Sequence, residues 1–408
     1  MSRRLSLTGG VALLAVTFLI TGCGGGGGGG GGGGSGAANT PPPAPPTPPP
    51  TGTVGDGGLD ELRAFVREKN GLPAMGAVVL LNGQLAEAGA DGLRAESRNR
   101  PVTVDDHWHL GSITKSMTAT MAGLLVEQSV LSWETTPLDV WPGLAGSIQA
   151  AYRDVTLAQL LAHQSGLPVD VAAIPSFDQV QDDAPGSVTD KRRLWAAELL
   201  ALPPAGPVGG FLYSNAGYVV AGAMMEAMTG TPWETLMTDN VFGPLNMRDA
   251  GFGAPGTPGR VDEPWGHGSR GGGFEPVPPG PGADNPAALG PAGTVHGTLT
   301  DVAAYMQAHI AGERGMPGLL TVDTFRFLHA PFAGQPYGMG WNVDDSDAAE
   351  AGVVLQHGGS NDRWFARVAL APELELGLLI VTNAGGQTAT DAIDELGDLM
   401  IERLLGSL

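Results

Sequence analysis

Between Gly58 and Leu405 the apolar residues switch between helical and strand periodicity, and the switches predict the elements. Leu59, Leu62, Phe65 and Val66 line one side of a short helix. Met75 to Leu81 is a mostly apolar strand run, and Asn82-Gly83 is a hairpin signal leading into Gln84 to Gly89. Beyond His107 to Gly111, the residues Ile113, Met117, Met121, Leu124 and Leu125 recur at three and four, so a helix buried along one face starts at Ser112. Thr156-Leu157-Ala158-Gln159 reads as a capping box opening a short helix through His163, which Ser165-Gly166-Leu167-Pro168 stops. Trp195 to Leu202 predicts another helix, closed by Pro203 and Pro204. Ala216 to Met228 predicts a third, and Thr231-Pro232-Trp233-Glu234 has cap, proline and glutamate placed to open a fourth. Gly251 to Pro291 is rich in glycine and proline, which predicts long surface loops bordering a cleft. Tyr337 to Val343, Val353 to Gln356, Arg363 to Leu370 and Leu376 to Thr382 read as short strands, and Asp391 to Leu405 as a final amphipathic helix. The expected class is α+β: an antiparallel sheet flanked by helices, a mostly helical subdomain, and a groove between them.

The N-terminal segment follows none of these patterns. Arg3 and Arg4 form a basic start, and Val11 to Ile20 is an apolar stretch too short to span a bilayer. It ends at Leu19-Ile20-Thr21-Gly22-Cys23, and Cys23 is the only cysteine in the chain. Residues 1–23 resemble a bacterial lipoprotein signal, which implies lipidation of Cys23; Ile20 stands where leucine is usual. Residues 24–56 hold the unbroken glycine run Gly24 to Gly34 and the proline-rich Pro41 to Pro50, a flexible coil and a stiffer spacer that together make a tether. Residues 57–408 are then one folded domain on the extracytoplasmic side of a bacterial cell envelope. The net charge of −21 argues against nucleic acid or an anionic membrane surface as the main partner.

Candidate chemistry starts at Ser112-Ile113-Thr114-Lys115, which sets a hydroxyl and an amine one helical turn apart. A serine hydroxyl is a poor nucleophile until something takes its proton, and a partly desolvated lysine is such a base. The chain has only three lysines, Lys69, Lys115 and Lys191. The alternative is that Ser112 caps the helix and Lys115 reaches solvent, and the four residues alone leave both readings open. No Gly-x-Ser-x-Gly occurs, so a nucleophile elbow is absent. His107-Trp108-His109 alternates as a strand would, but no other motif completes a metal site with it.

Further motifs follow in order. Tyr213-Ser214-Asn215, His357-Gly358-Gly359 and the stretch Leu160 to Pro168 accompany Ser112 to Lys115, and together they resemble the serine β-lactamase and penicillin-binding-protein superfamily, in its class C-like branch of esterases and D-amino-acid peptidases. The resemblance runs from about Leu59 to Leu405 and implies a β-lactamase/transpeptidase-like fold without a cofactor. It implies that Ser112 forms an acyl-enzyme, that Lys115 and Tyr213 share the proton transfers, and that Asn215 steadies Lys115 and a substrate amide. The backbone N–H groups of Ser112 and Ser360 are expected to form the oxyanion hole, with His357 opening the third motif. His163 is expected to be a buried hydrogen-bonding residue beside the site, and Thr298 with Asp301 to cap a family-like helix start.

A histidine in place of the lysine usual at the third motif removes a fixed positive charge that would hold a substrate carboxylate, unless an arginine such as Arg363 replaces it. Ester or amide hydrolysis therefore ranks above efficient β-lactam hydrolysis. The partner expected is a small ester, amide or peptide. The alternative is a penicillin-recognising or cell-wall-binding protein of the same fold with little turnover.

Overall fold

The computed structural model describes residues 57–172, 174–177, 185–345 and 352–405. Cys23, the signal segment and the tether lie outside the described residues.

The core of the molecule is a six-stranded antiparallel sheet assembled from both ends of the chain. Strands β1 (Ala74–Leu81) and β2 (Gln84–Gly92) form the expected hairpin, with Asn82 and Gly83 both at positive φ in the turn. Strands β8 (Asn342–Asp344), β9 (Val354–Ser360), β10 (Phe365–Ala371) and β11 (Leu376–Thr382) follow from the C-terminal end. The order β2-β1-β11-β10-β9-β8 makes β1 the neighbour of β11, with Val78 opposite Leu379. Of the Tyr337 to Val343 run only its end joins the sheet. Tyr337 and Gly338 are instead held in a turn that packs on α10 (Val322–His329), where Met339 N–H donates to Leu328 O at 2.9 Å.

Strand alternation sorts the side chains into two layers. Met75, Ala77 and Val79 of β1 and Leu378 and Ile380 of β11 pack on α1 (Gly58–Lys69) and α11 (Gln387–Leu405). Val78, Leu80, Val368, Leu379 and Val381 face the other way, onto α2 (Thr114–Glu127), α9 (Leu299–Glu313) and the helical region. That region holds α3 (Pro137–Val140), α4 (Leu157–Leu161), α5 (Val188–Ala201), α6 (Asn215–Thr229), α7 (Trp233–Met237) and α8 (Gly290–Gly293). The α+β architecture expected from the sequence is the one observed.

Local details depart from expectation where a neighbour competes. Helix α4 ends at Leu161, two residues early, because His163 takes a left-handed φ of 59° and turns its ring inward. Helix α5 starts at Val188, capped by Ser187, well before Trp195. Thr231 does not cap α7; its hydroxyl bonds back to Thr229 O, and Pro232 occupies the cap position. The Gly251 to Pro291 segment is not all loop. It contributes β4 (Gly251–Phe252), which joins β3 (Trp108–His109) and β7 (Val295–Gly297) in a small sheet. It also forms the hairpin of β5 (Gly266–Arg270) and β6 (Gly273–Val277). Thr298 and Asp301 make the expected capping box on α9, as Thr156 and Gln159 do on α4.

Candidate active site

Ser112 lies in a 3-10 turn, Gly111–Ile113, that feeds into α2 at Thr114, so the helix proper begins two residues later than expected. No side-chain capping bond is present at the start of either element. The turn is pressed against the edge of β9. Gly111 sits at φ 50°, and a Cβ there would overlap the backbone N of Ser360; a Cβ on Gly359 would overlap the carbonyl oxygen of Leu110. Glycine at both positions is what lets the backbones of Ser112 and Ser360 approach.

Lys115 is fully buried, contrary to the solvent-reaching alternative. Its ammonium donates to Ser112 Oγ at 2.9 Å, Asn215 Oδ1 at 2.7 Å and Ala292 O at 2.7 Å. Three acceptors match the three donors of a lysine head group. The segment carrying Ala292 is stitched to the same face of α2, since Thr118 Oγ1 donates to Pro291 O (2.8 Å) and Val295 N donates to Thr114 Oγ1 (3.1 Å). Asn215 is the first residue of α6, but Ser214 is its cap and accepts from Gly217 N at 3.0 Å. The adjacent serine thus satisfies the helix end and leaves the Asn215 amide for Lys115.

Tyr213 lies just before the Ser214 cap of α6. Its ring centre is 4.8 Å from Lys115 Nζ and 4.3 Å from the His163 ring. His163 is completely buried and accepts from Ser214 N through Nδ1 at 3.0 Å. Burial first, then the neighbouring Lys115 and His357, holds its pKa well below the ordinary histidine value.

His357 lies on β9 with its ring buried, 6.4 Å from the ring of Tyr213. Its Nδ1 faces Gly358 O at 2.6 Å, so that nitrogen carries the proton and Nε2 accepts from Tyr337 OH at 3.0 Å. Burial first, then Lys115, pushes its pKa down to about 3, against the pull of the Gly358 carbonyl. A neutral ring at this position supplies no fixed positive charge.

Ser360 ends β9, and its hydroxyl is used within the following turn, donating to Trp364 O at 2.9 Å and accepting from Asp362 N at 3.0 Å. Arg363 lies in that turn, its N–H on Asn361 Oδ1 at 3.2 Å and its Cβ close to Gly266 of β5. His107 and His109 turn to different carboxylates, Glu263 at 2.9 Å and Asp284 at 2.8 Å respectively. No group of histidine, cysteine and acidic side chains among the described residues is arranged to hold a metal ion.

The structure therefore gathers Ser112, Lys115, Tyr213 and Asn215 around one amine, with His357 behind Tyr213 and Ser360 across from the turn. Sequence reasoning missed Ala292, Tyr337, Asp284 and Asn361. Ala292 acts through its carbonyl, which any residue type supplies. Asp284 lies in a segment read as loop, 175 positions from its partner His109.

An antiparallel sheet flanked by helices, with a Ser-x-x-Lys turn pressed against β9, fits the serine hydrolases of β-lactamase type. The chain belongs to the Beta-lactamase family, whose profile matches residues 62–399. It is 26% identical over 345 residues to penicillin-binding protein 4 of Amycolatopsis lactamdurans, covering 81% of this chain and 86% of that one. It is 28% identical over 357 residues to the esterase EstB of Burkholderia gladioli, covering 75% and 85%. Among solved structures, the octameric penicillin-binding protein homologue from Pyrococcus abyssi has the same fold, with a TM-score of 0.67 and 23% identity over 86% of this chain and 77% of that one. The chain is an enzyme of serine-hydrolase type.

Proposed function

We propose that this protein hydrolyses an ester or amide through an acyl-enzyme on Ser112. The observation that carries the reading is the buried Lys115 amine 2.9 Å from Ser112 Oγ, with Asn215 and Ala292 O on its other two sides. A neutral amine would direct its two N–H bonds at Asn215 and Ala292 and its lone pair at Ser112, ready to take the hydroxyl proton. The ammonium then fills all three contacts without moving a heavy atom. Tyr213, beside the same amine, would relay that proton to the leaving group. The N–H groups of Ser112 and Ser360 would receive the developing oxyanion. Water then releases the acid and regenerates Ser112.

Two observations favour esters and amides with apolar groups over β-lactams. His357 is neutral, so the third motif offers no cation for a carboxylate. Val169, Val208 and Phe211 are exposed on the backbone segments that frame Tyr213 and Asn215, and the Phe211 ring is 5.9 Å from that of His163. Membership of the family carries the chemistry but not this choice of substrate. A long-lived acyl-enzyme is the second reading, supported by the likeness to a penicillin-binding protein.

Incubating the full chain with a fluorescent fluorophosphonate, and in parallel a fluorescent penicillin, tests both. Labelling at Ser112 that S112A abolishes is expected from the first probe, and absence of any adduct on folded protein would sink the proposal. A penicillin adduct that persists for hours selects the second reading.

The domain plan belongs to the same proposal: residues 1–23 a lipoprotein signal, 24–56 a tether and 57–408 the catalytic domain, lipid-anchored through Cys23 at the cell envelope. Expressed in a bacterium fed radiolabelled palmitate, the wild type is expected to take up label and C23S to lose it. Equal labelling of the two would overturn the anchor.

A further inference from the structure

A second buried network lies outside the lysine shell and touches both sides of the Ser112–Ser360 gap. His109, at the end of β3, is 1% exposed. Its Nδ1 accepts the N–H of Gly111 at 3.1 Å, so the ring proton sits on Nε2, which donates to Asp284 Oδ2 at 2.8 Å. The other oxygen, Asp284 Oδ1, accepts Asn361 Nδ2 at 2.6 Å and the backbone N–H of Asn285 at 2.7 Å. Asn361 Oδ1 in turn accepts the N–H groups of Arg363 and Trp364, each at 3.2 Å. The Trp364 ring closes the circuit, tilted on the His109 ring at 5.4 Å. Gly111 immediately precedes Ser112, and Asn361 immediately follows Ser360. One imidazole and one carboxylate therefore link the two backbone segments that approach each other where the turn meets β9.

We propose that His109, Asp284 and Asn361 are positioning residues that fix the separation and aim of the Ser112 and Ser360 amides. The inference rests on the reading of Ser112 as nucleophile. Asp284 sets the histidine tautomer: an acceptor opposite Nε2 keeps the proton there and leaves Nδ1 as acceptor for Gly111. In D284N the amide NH2 competes for that place while Asn361 holds the oxygen. The ring proton then favours Nδ1, where it opposes the Gly111 N–H, and the turn loses its anchor. Misplacing a reacting group by about an ångström costs on the order of 100-fold in rate.

The test is the inactivation of the full-length protein by a fluorophosphonate, whose phosphoryl oxygen sits where the acyl oxygen would, resolved into kinact and KI, with thermal melts alongside. D284N and H109L are expected to lower kinact by about 30- to 100-fold with KI changed less than about threefold. H109Q, whose amide can accept from Gly111 and donate to Asp284, is expected to recover to within about fivefold of wild type. A general loss of structure would not be rescued by glutamine. If D284N gives no cooperative melt, N361S, at the half-buried end of the network, carries the same expectation. Wild-type kinact in D284N or N361S, a change confined to KI, or H109Q no better than H109L would each overturn the positioning role. Wild-type protein that takes no label at Ser112 would instead remove the nucleophile reading beneath it.

Discussion

Lys115 shows how little room the site leaves for substitution at a single residue. Its three acceptors suit the ammonium and, with a lone pair in place of one N–H, the amine. K115M keeps the length of the side chain but removes both forms. Fluorophosphonate labelling of Ser112 is expected to slow by on the order of 10²- to 10⁴-fold, the range for losing a positioned base. His357 leads to a pH prediction. With its pKa at about 3 in the fold, it stays neutral through any ordinary assay range. It therefore contributes no limb to the pH dependence of kcat/KM between pH 5 and 9. H357Q is expected to change the height of that profile and leave its limbs in place; a limb that vanished in H357Q would contradict this. The gathering of Ser112, Lys115, Tyr213 and Asn215 was legible in the sequence, because short motifs carry these residues. Asp284 and Asn361 were not, because their partners are set by folding and neither residue type is distinctive in a loop.

At the scale of elements, the approach of the Gly111–Ile113 turn to β9 matters most. A Cβ on Gly359 would overlap Leu110 O and come within 2.8 Å of Ser112 N. G359A must push turn and strand apart, and kcat is expected to fall by roughly 100-fold while the chain still melts cooperatively. The α9 cap offers a contrast. Thr298 accepts from Asp301 N at 3.1 Å and Asp301 accepts from Thr298 N at 3.2 Å, well away from Ser112 in the chain. T298A is expected to cost ~1 kcal/mol in urea unfolding with labelling of Ser112 unchanged. Elements with local causes were readable beforehand: the β1–β2 hairpin, the two capping boxes, β11 and α11. Those with distant causes were not. The end of α4 depends on where His163 is drawn, and β4 exists only because β7 lies beside it.

At the scale of the whole molecule, histidine burial sets acid sensitivity. His163, His267, His296, His309, His329 and His357 all have pKa values lowered chiefly by burial. Each takes a proton more readily in the unfolded chain, so below about pH 6.5 the unfolded state binds more protons and stability falls as pH falls. His107, raised by Glu263, and the carboxyls of Glu226, Asp301, Asp394 and Asp398, raised chiefly by burial, act in the opposite sense but are fewer than the six histidines. The melting temperature is expected to drop by several degrees between pH 7 and about pH 5; an unchanged melt would contradict the burial-driven shifts. The sheet order has a further consequence, for biosynthesis. β1 is made early, but its neighbour β11 follows only after about 300 more residues, Leu80 pairing with Gly377. At ~5–20 residues per second, a ribosome leaves that apolar edge open for roughly 15 to 60 seconds. The nascent chain cannot complete its central layer until β11 emerges, so Ser112 is made long before its surroundings can assemble, and in that interval a holding chaperone can keep the open edge from pairing with its neighbours.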